Sequence, residues 1–205
     1  MVNIREWFRE IRQHKSLIVV SVLFLAISLY INYIAGNYVD TVGTAATSDI
    51  ILDHIPPINF AFFYIYGYTI VIAILLFHPL FYNVKEFHMV VSQFSLLILI
   101  RSFFMSLTHL KIPIDAIIVE MPRAYTLLTF QNDLFFSGHT AVAFLGYLIY
   151  RKEKLGNFFL ISTVILALTV LLMHLHYSID VFAAIFITYG SYKLGNWLFG
   201  KVIKN

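Results

Sequence analysis

The sequence predicts an all-α polytopic membrane protein, a bundle of six transmembrane helices in which residues 1–205 form a single domain. Three observations predict it. Hydrophobic residues make up 60% of the chain and charged residues only 12%, with a mean hydropathy of +0.82, far from the composition of an ordinary soluble domain. Six apolar stretches are long enough, or nearly so, to cross a hydrocarbon core that needs roughly 20 helical residues. The basic residues gather in alternate connections between those stretches, as they do in the cytoplasmic loops of membrane proteins. No internal repeat, low-complexity tract or soluble second domain interrupts the pattern.

The first span is expected over residues 16–38. It is too long to be a cleaved signal peptide, tolerates Glu6 and Glu10 in its flank, and reads as a retained anchor. The second and third are expected over 60–81 and 87–107. The fourth, 138–150, is short and is expected to borrow its first turn from residues 133–136. The fifth, 157–173, is also short, and the sixth covers 177–197. The longest connection, 108–136, holds Pro113 and Pro122 among Ile114, Ile117, Ile118, Val119, Leu127 and Leu128. It is expected to lie along the outer interface, where it walls a lipid-binding site. The 20 Phe and 13 Tyr suit a bundle anchored at both membrane faces.

Charge orients the bundle. Arg5, Arg9, Arg12 and Lys15 precede the first span, Lys85 follows the second, Arg151, Lys152 and Lys154 follow the fourth, and Lys193, Lys201 and Lys204 lie at the end. The opposite connections hold only Lys111 and Arg123, beside Asp40, Asp49, Asp53, Asp115, Glu120 and Asp133. Both termini are therefore expected in the cytoplasm. The formal net charge of +3 forms no continuous basic patch, so nucleic acid is not an expected partner. Small size and the absence of cysteine fit a bacterial inner membrane.

Zero cysteines exclude disulfides, thiolate metal sites and a cysteine nucleophile. Ionisable groups at membrane depth are costly and point to function by default. Arg101 falls inside the third span, His139 starts the fourth, and His174, His176 and Asp180 sit at the junction of the fifth and sixth, all on the predicted outer side. His176 and Asp180 are four residues apart, so a helix there would put both on one face. The carboxylate would then fix the imidazole tautomer and leave the other ring nitrogen free as nucleophile or base. Ser137 is a candidate N-cap, and Gly138 lets an anion approach the free N–H groups of the next helical turn. His139 there is placed to protonate a leaving alkoxide. Arg101 must find a carboxylate, carbonyls or a bound anion, with Asp133 or Asp180 as structural partners and a substrate phosphate as the functional one.

These residues resemble the sphingomyelin synthase-like branch of the phosphatidic acid phosphatase type 2 (PAP2) superfamily. The branch's Gly-Asp-x-x-x-Ser-Gly-His-Thr motif is matched by Asn132-Asp133-Leu134-Phe135-Phe136-Ser137-Gly138-His139-Thr140. Its His-Tyr-Ser/Thr-x-Asp-Val motif is matched by His176-Tyr177-Ser178-Ile179-Asp180-Val181. Thr188 follows at the spacing of that branch, and Arg101 through Pro113 gives a looser match to an Arg-x-x-x-Met-x-x-Thr segment ending in proline. The resemblance implies that His176 is a nucleophile forming a phosphohistidine-type intermediate, Asp180 its orienting carboxylate, and His139 the acid for the leaving alkoxide and then the base for the acceptor. Arg101, Ser137, Gly138 and Asp133 are the candidate substrate-binding residues, Asp133 with no role assigned. The implied partners are a phospholipid donor and a lipid alcohol or water as acceptor, with no metal and no cofactor.

The chain also departs from the wider superfamily. It has no Lys-x6-Arg-Pro motif, and Val170 stands where the water-transferring phosphatases carry an arginine six residues before the nucleophile. A phosphomonoester carries about two negative charges at neutral pH and a phosphodiester one, so fewer cations favour a diester donor. The leading expectation is a lipid head-group phosphotransferase. The closest alternative is a lipid phosphate phosphatase acting on a phosphatidic acid or isoprenoid phosphate type of substrate. Further alternatives are a metal site of His139, His174, His176 and Asp180, an intramembrane serine protease using Ser137, and a non-catalytic transporter or scaffold.

Overall fold

The computed structural model describes residues 4–120 and 130–200. Pro122, Arg123, Leu127, Leu128, Lys201 and Lys204 lie outside the described residues. Among the described residues the regular structure is helical: α1 (Ile4–Val42), α2 (Tyr68–Tyr82), α3 (Val84–Ser106), α4 (Gly138–Tyr150), α5 (Lys154–Leu172) and α6 (Ser178–Phe199). A π-helical turn, Phe63–Gly67, leads into α2, and a short 3-10 turn covers Leu52–His54.

Four of these helices are long and apolar enough to cross a membrane, namely α1, the continuous Phe63–Tyr82 helix, α3 and α5. At 39 residues, α1 is about 58 Å long at about 1.5 Å per residue, so its charged first turns extend beyond a hydrocarbon core of roughly 30 Å. Its outward face carries exposed Val19, Val20, Leu23, Ile27 and Ile34, and that of α6 carries Phe182, Phe186 and Trp197. Such apolar outer surfaces suit lipid as the solvent.

The short α4 has a physical reason. It is the interior helix, packed against α2, α3, α5 and α6, and nine of its 13 residues are buried. Gly146 makes that packing close: a Cβ there would lie 2.3 Å from the Phe159 ring of α5, which stacks on Tyr150. The expectation that α4 borrows a turn from residues 133–136 is corrected. That segment is irregular, because Ser137 caps the helix and the Phe136 carbonyl, which a longer helix would need, accepts from Arg101 Nε at 3.1 Å.

One end of the bundle is knitted together by its loops. Thr44 N donates to His109 O, Ile58 N to Leu172 O, Ile117 N to Met173 O and Ser137 N to Asp180 O. Asp40 accepts from the backbone N–H groups of Gln131 and Asn132, and the Phe130 ring lies over Gly36, where a Cβ would be 2.2 Å away. The connection after α3 is thus tied to α1 on one side and to the α5–α6 turn on the other. At the opposite end, Trp7 Nε1 donates to Leu80 O.

Candidate active site

The α5–α6 turn and the start of α4 meet at the knitted end. Asp180 is the third residue of α6 and fully buried. Its Oδ2 accepts from Tyr177 N–H at 3.1 Å and from His176 Nδ1 at 3.1 Å, while its carbonyl accepts from Ser137 N–H. The predicted pairing forms, but its predicted geometry is corrected. His176 lies before the helix, with Tyr177 as N-cap, so the carboxylate reaches it by turning back over the helix start rather than by sharing a helical face. A carboxylate can only accept, so Nδ1 carries the proton and Nε2 keeps the lone pair. His176 is 6% exposed and faces a cavity.

His139 lines the same cavity from α4. Its ring is sandwiched between Tyr64 and Tyr68, with centroids 4.2 and 4.0 Å away. His139 Nε2 lies 3.2 Å from Tyr64 O. Since a carbonyl also only accepts, Nε2 donates there and Nδ1 is the nitrogen left for other work. Tyr64 lies in the π-helical turn and Tyr68, four residues on, begins α2, so both project from one face. Sequence reasoning missed both tyrosines; among 13 Tyr no local signal separates them from membrane anchors.

Arg101 reaches the site from α3. Its Nη2 forms an ion pair with Asp133, which also offers its carbonyl at 3.3 Å, and its Nη1 approaches Met105 Sδ at 3.8 Å. Of the two carboxylates expected as structural partners of Arg101, Asp133 is the one that pairs with it. Gly138 is fitted to the guanidinium, since a Cβ there would stand 3.0 Å from Arg101 Nε. Ser137 is the predicted N-cap: fully buried, its Oγ accepts from Thr140 N–H at 3.5 Å. The N–H groups of Gly138 and His139 begin the helix and have no partner within it.

The cavity that joins these groups has a volume of about 820 Å³. Arg101, Asp133, Gly138, His139 and His176 line its polar end, with Asp40 and Gln131 nearby. Residues of the 108–136 connection, Ile112, Ile118, Val119 and Phe130, also wall it, and its long remainder runs between α1, α2, α3 and α4. The turn through Asp53, Ile55 and Pro56 lines a separate cavity of about 580 Å³ with Asp49 and Asp115. Outside the membrane-spanning helices, Asp49 ties the layers together. Burial alone would raise its carboxyl, but N–H groups of Ser178, Ile51 and Leu52, at 2.7, 2.9 and 3.1 Å, hold it below the usual carboxylate range.

The metal alternative finds no converging donors. His174, fully buried, has its Nδ1 2.9 Å from Asp115 Oδ1, a close approach without the alignment of a hydrogen bond. Among the described residues no three of His, Asp or Glu come together as metal ligands.

Residues 132–196 match the family model described as PAP2 superfamily C-terminal. The match contains His139, His176 and Asp180 and covers less than half of the chain. No curated protein and no solved structure is significantly similar to it.

Proposed function

We propose that the chain is an integral membrane enzyme of the sphingomyelin synthase-like kind, which transfers a phosphate-bearing head group between lipids through His139, His176 and Asp180. The observation that carries the reading is the single cavity: two imidazoles and a guanidinium line one end, and an apolar channel between four helices forms the rest. A ligand that fits both ends has a phosphate and a hydrocarbon tail. The matched family, whose members act as phosphatases or phosphotransferases of lipid phosphates, supports the same chemistry.

In this reading all six helices cross the bilayer. The termini lie in the cytoplasm, and the knitted end faces outward, by the distribution of Lys and Arg. His176 Nε2 attacks phosphorus while Asp180 holds the Nδ1 proton and offsets the positive charge that grows on the ring. The bond from phosphorus to the lipid oxygen breaks, and His139, which enters this step as the imidazolium with a proton on each nitrogen, gives that oxygen the proton from Nδ1. His139 Nδ1 then takes the proton of an acceptor hydroxyl, the new oxygen attacks phosphorus, the N–P bond breaks and His176 is restored. Arg101 and the first-turn N–H groups of α4 hold the phosphate oxygens. The opposite pull of Asp133 keeps Arg101 oriented.

The test is a lipid-panel assay on purified protein, with labelled phospholipid incubated with and without ceramide or diacylglycerol. A product that appears only with the added lipid alcohol supports transfer. Release of a free phosphorylated head group regardless of that addition assigns the phosphatase or phospholipase C-like alternative. A folded His176→Ala variant with full turnover would remove the enzyme reading.

A further inference from the structure

Resting on the lipid reading above, the shape of the apolar part of the cavity says more about the substrate. Helices α1 and α2 both pack against α3 but scarcely touch each other, so the slot between them opens sideways towards the surrounding lipid. Below the polar end its deepest lining residues are Leu25 on α1, Phe77 on α2 and Phe94 on α3. From Arg101 to Phe94 is seven residues and from Tyr68 to Phe77 nine, about 10 and 14 Å of helix at about 1.5 Å per residue. The hydrocarbon half of a bilayer is about 15 Å deep. The slot is therefore nearly as deep as one hydrocarbon leaflet and no deeper.

Its floor is firm and its middle is open. Phe94 is 5% exposed and belongs to the main core with Leu75 and Phe159, so it does not yield easily to a longer occupant. Ala73, one helical turn above Phe77, offers only a methyl group to the channel, opposite Leu29 of α1. We infer that the slot takes one hydrocarbon chain of the lipid substrate and limits its length, with Phe77 and Phe94 as the floor and Ala73 as the position that keeps the channel open. The lipid's other chain stays in the surrounding lipid, outside the opening between α1 and α2.

The experiment measures kcat/KM for one head group on a hexanoyl, decanoyl, palmitoyl and behenoyl series in mixed micelles. The wild-type profile is expected to fall beyond the chain that reaches the floor. Ala73→Phe plugs the channel, and the ratio of hexanoyl to palmitoyl turnover within that variant should rise at least about tenfold, the equivalent of modest overpacking. Leu29→Phe places a plug on the facing wall and should act in the same direction. Phe77→Ala, at a residue 57% exposed, lengthens the channel without emptying the core and should move the optimum to longer chains. Should both plugged variants lose all turnover, Phe77→Ala alone decides. A wild-type profile flat with chain length, or a profile that Phe77→Ala does not move, overturns the slot. Failure of the wild type to act on any phospholipid would instead overturn the proposed function.

Discussion

Replacing Asp180 by asparagine isolates one charge. In the wild type Oδ2 accepts from both His176 Nδ1 and Tyr177 N–H. Asparagine with its oxygen in the place of Oδ2 still accepts from both N–H groups and puts its NH2 where Oδ1 stood, which makes no hydrogen bond. The tautomer is kept, and what is lost is the negative charge that offsets the charge growing on the His176 ring in the proposed mechanism. A hydrogen bond to a charged group is worth about 1.5–3 kcal/mol, or roughly ten- to more than a hundredfold in rate. The expected fall in kcat is therefore about 10–10²-fold. KM should change little, because the carboxylate touches His176 rather than the lipid. Labelled phospholipid turnover in detergent micelles measures both, and circular dichroism checks the fold. A folded Asp180→Asn variant within about threefold of wild-type kcat would refute the assignment of His176 as nucleophile.

Three further outcomes follow from other parts of the fold. Asp133→Asn leaves Arg101 without its counter-ion and should destabilise by about 3–5 kcal/mol, nearer the lower figure because Asp133 is 19% exposed; thermal unfolding measures this, and Arg101→Met in the same chain should recover part of the loss. Gly146→Ala drives a methyl group into the Phe159 ring and should cost about 1–3 kcal/mol by overpacking, whereas alanine at Gly190, which meets nothing within 4 Å, should be neutral or stabilising by the same assay. Asp49 is held below its ordinary value, so its contribution is complete above the unfolded value of about 3.9 and is lost as pH falls through the folded one; Asp49→Asn should flatten the acid limb of the melting temperature below about pH 4.

Much of the fold was legible because each apolar stretch carries its own signal. The predicted 138–150 coincides with α4, and the predicted 60–81, 87–107 and 177–197 lie within a few residues of the helical segments in which they fall. What stayed hidden depends on partners remote in sequence. The irregular 133–136 segment looks helical in isolation, but the Arg101 bond to Phe136 O decides it, 35 residues away. The position of His176 outside α6 turns on Tyr177 capping the helix, which the spacing of four does not reveal. Asp133 and Asp180 were both readable as partners of Arg101, but the choice of Asp133 was not, because an ion pair between a loop and α3 leaves no periodic trace. Tyr64 and Tyr68 embrace His139 from a different helix, and nothing in a run of aromatic residues announces that partner.

The charges around the cavity sharpen the choice of head group in the proposed reaction. Arg101 is paired to Asp133, Asp180 backs His176, and Asp40 lines the polar end as well. One guanidinium thus faces three carboxylates. A phosphomonoester of about two negative charges would bring further repulsion into a site shielded from water, where charges interact more strongly than in bulk solvent. A phosphodiester adds one negative charge, and a cationic amine on the same head group offsets it next to Asp40. A zwitterionic phosphocholine or phosphoethanolamine lipid is therefore expected to be the better donor, ahead of phosphatidylglycerol and phosphatidic acid. Competition between these lipids at equal mole fraction in one micelle reads the order directly, and Asp40→Asn should narrow the gap between zwitterionic and anionic diesters. Preferred turnover of phosphatidic acid would mean that Arg101 leaves Asp133 for the ligand, and the charge balance argued from the ligand-free site would be wrong.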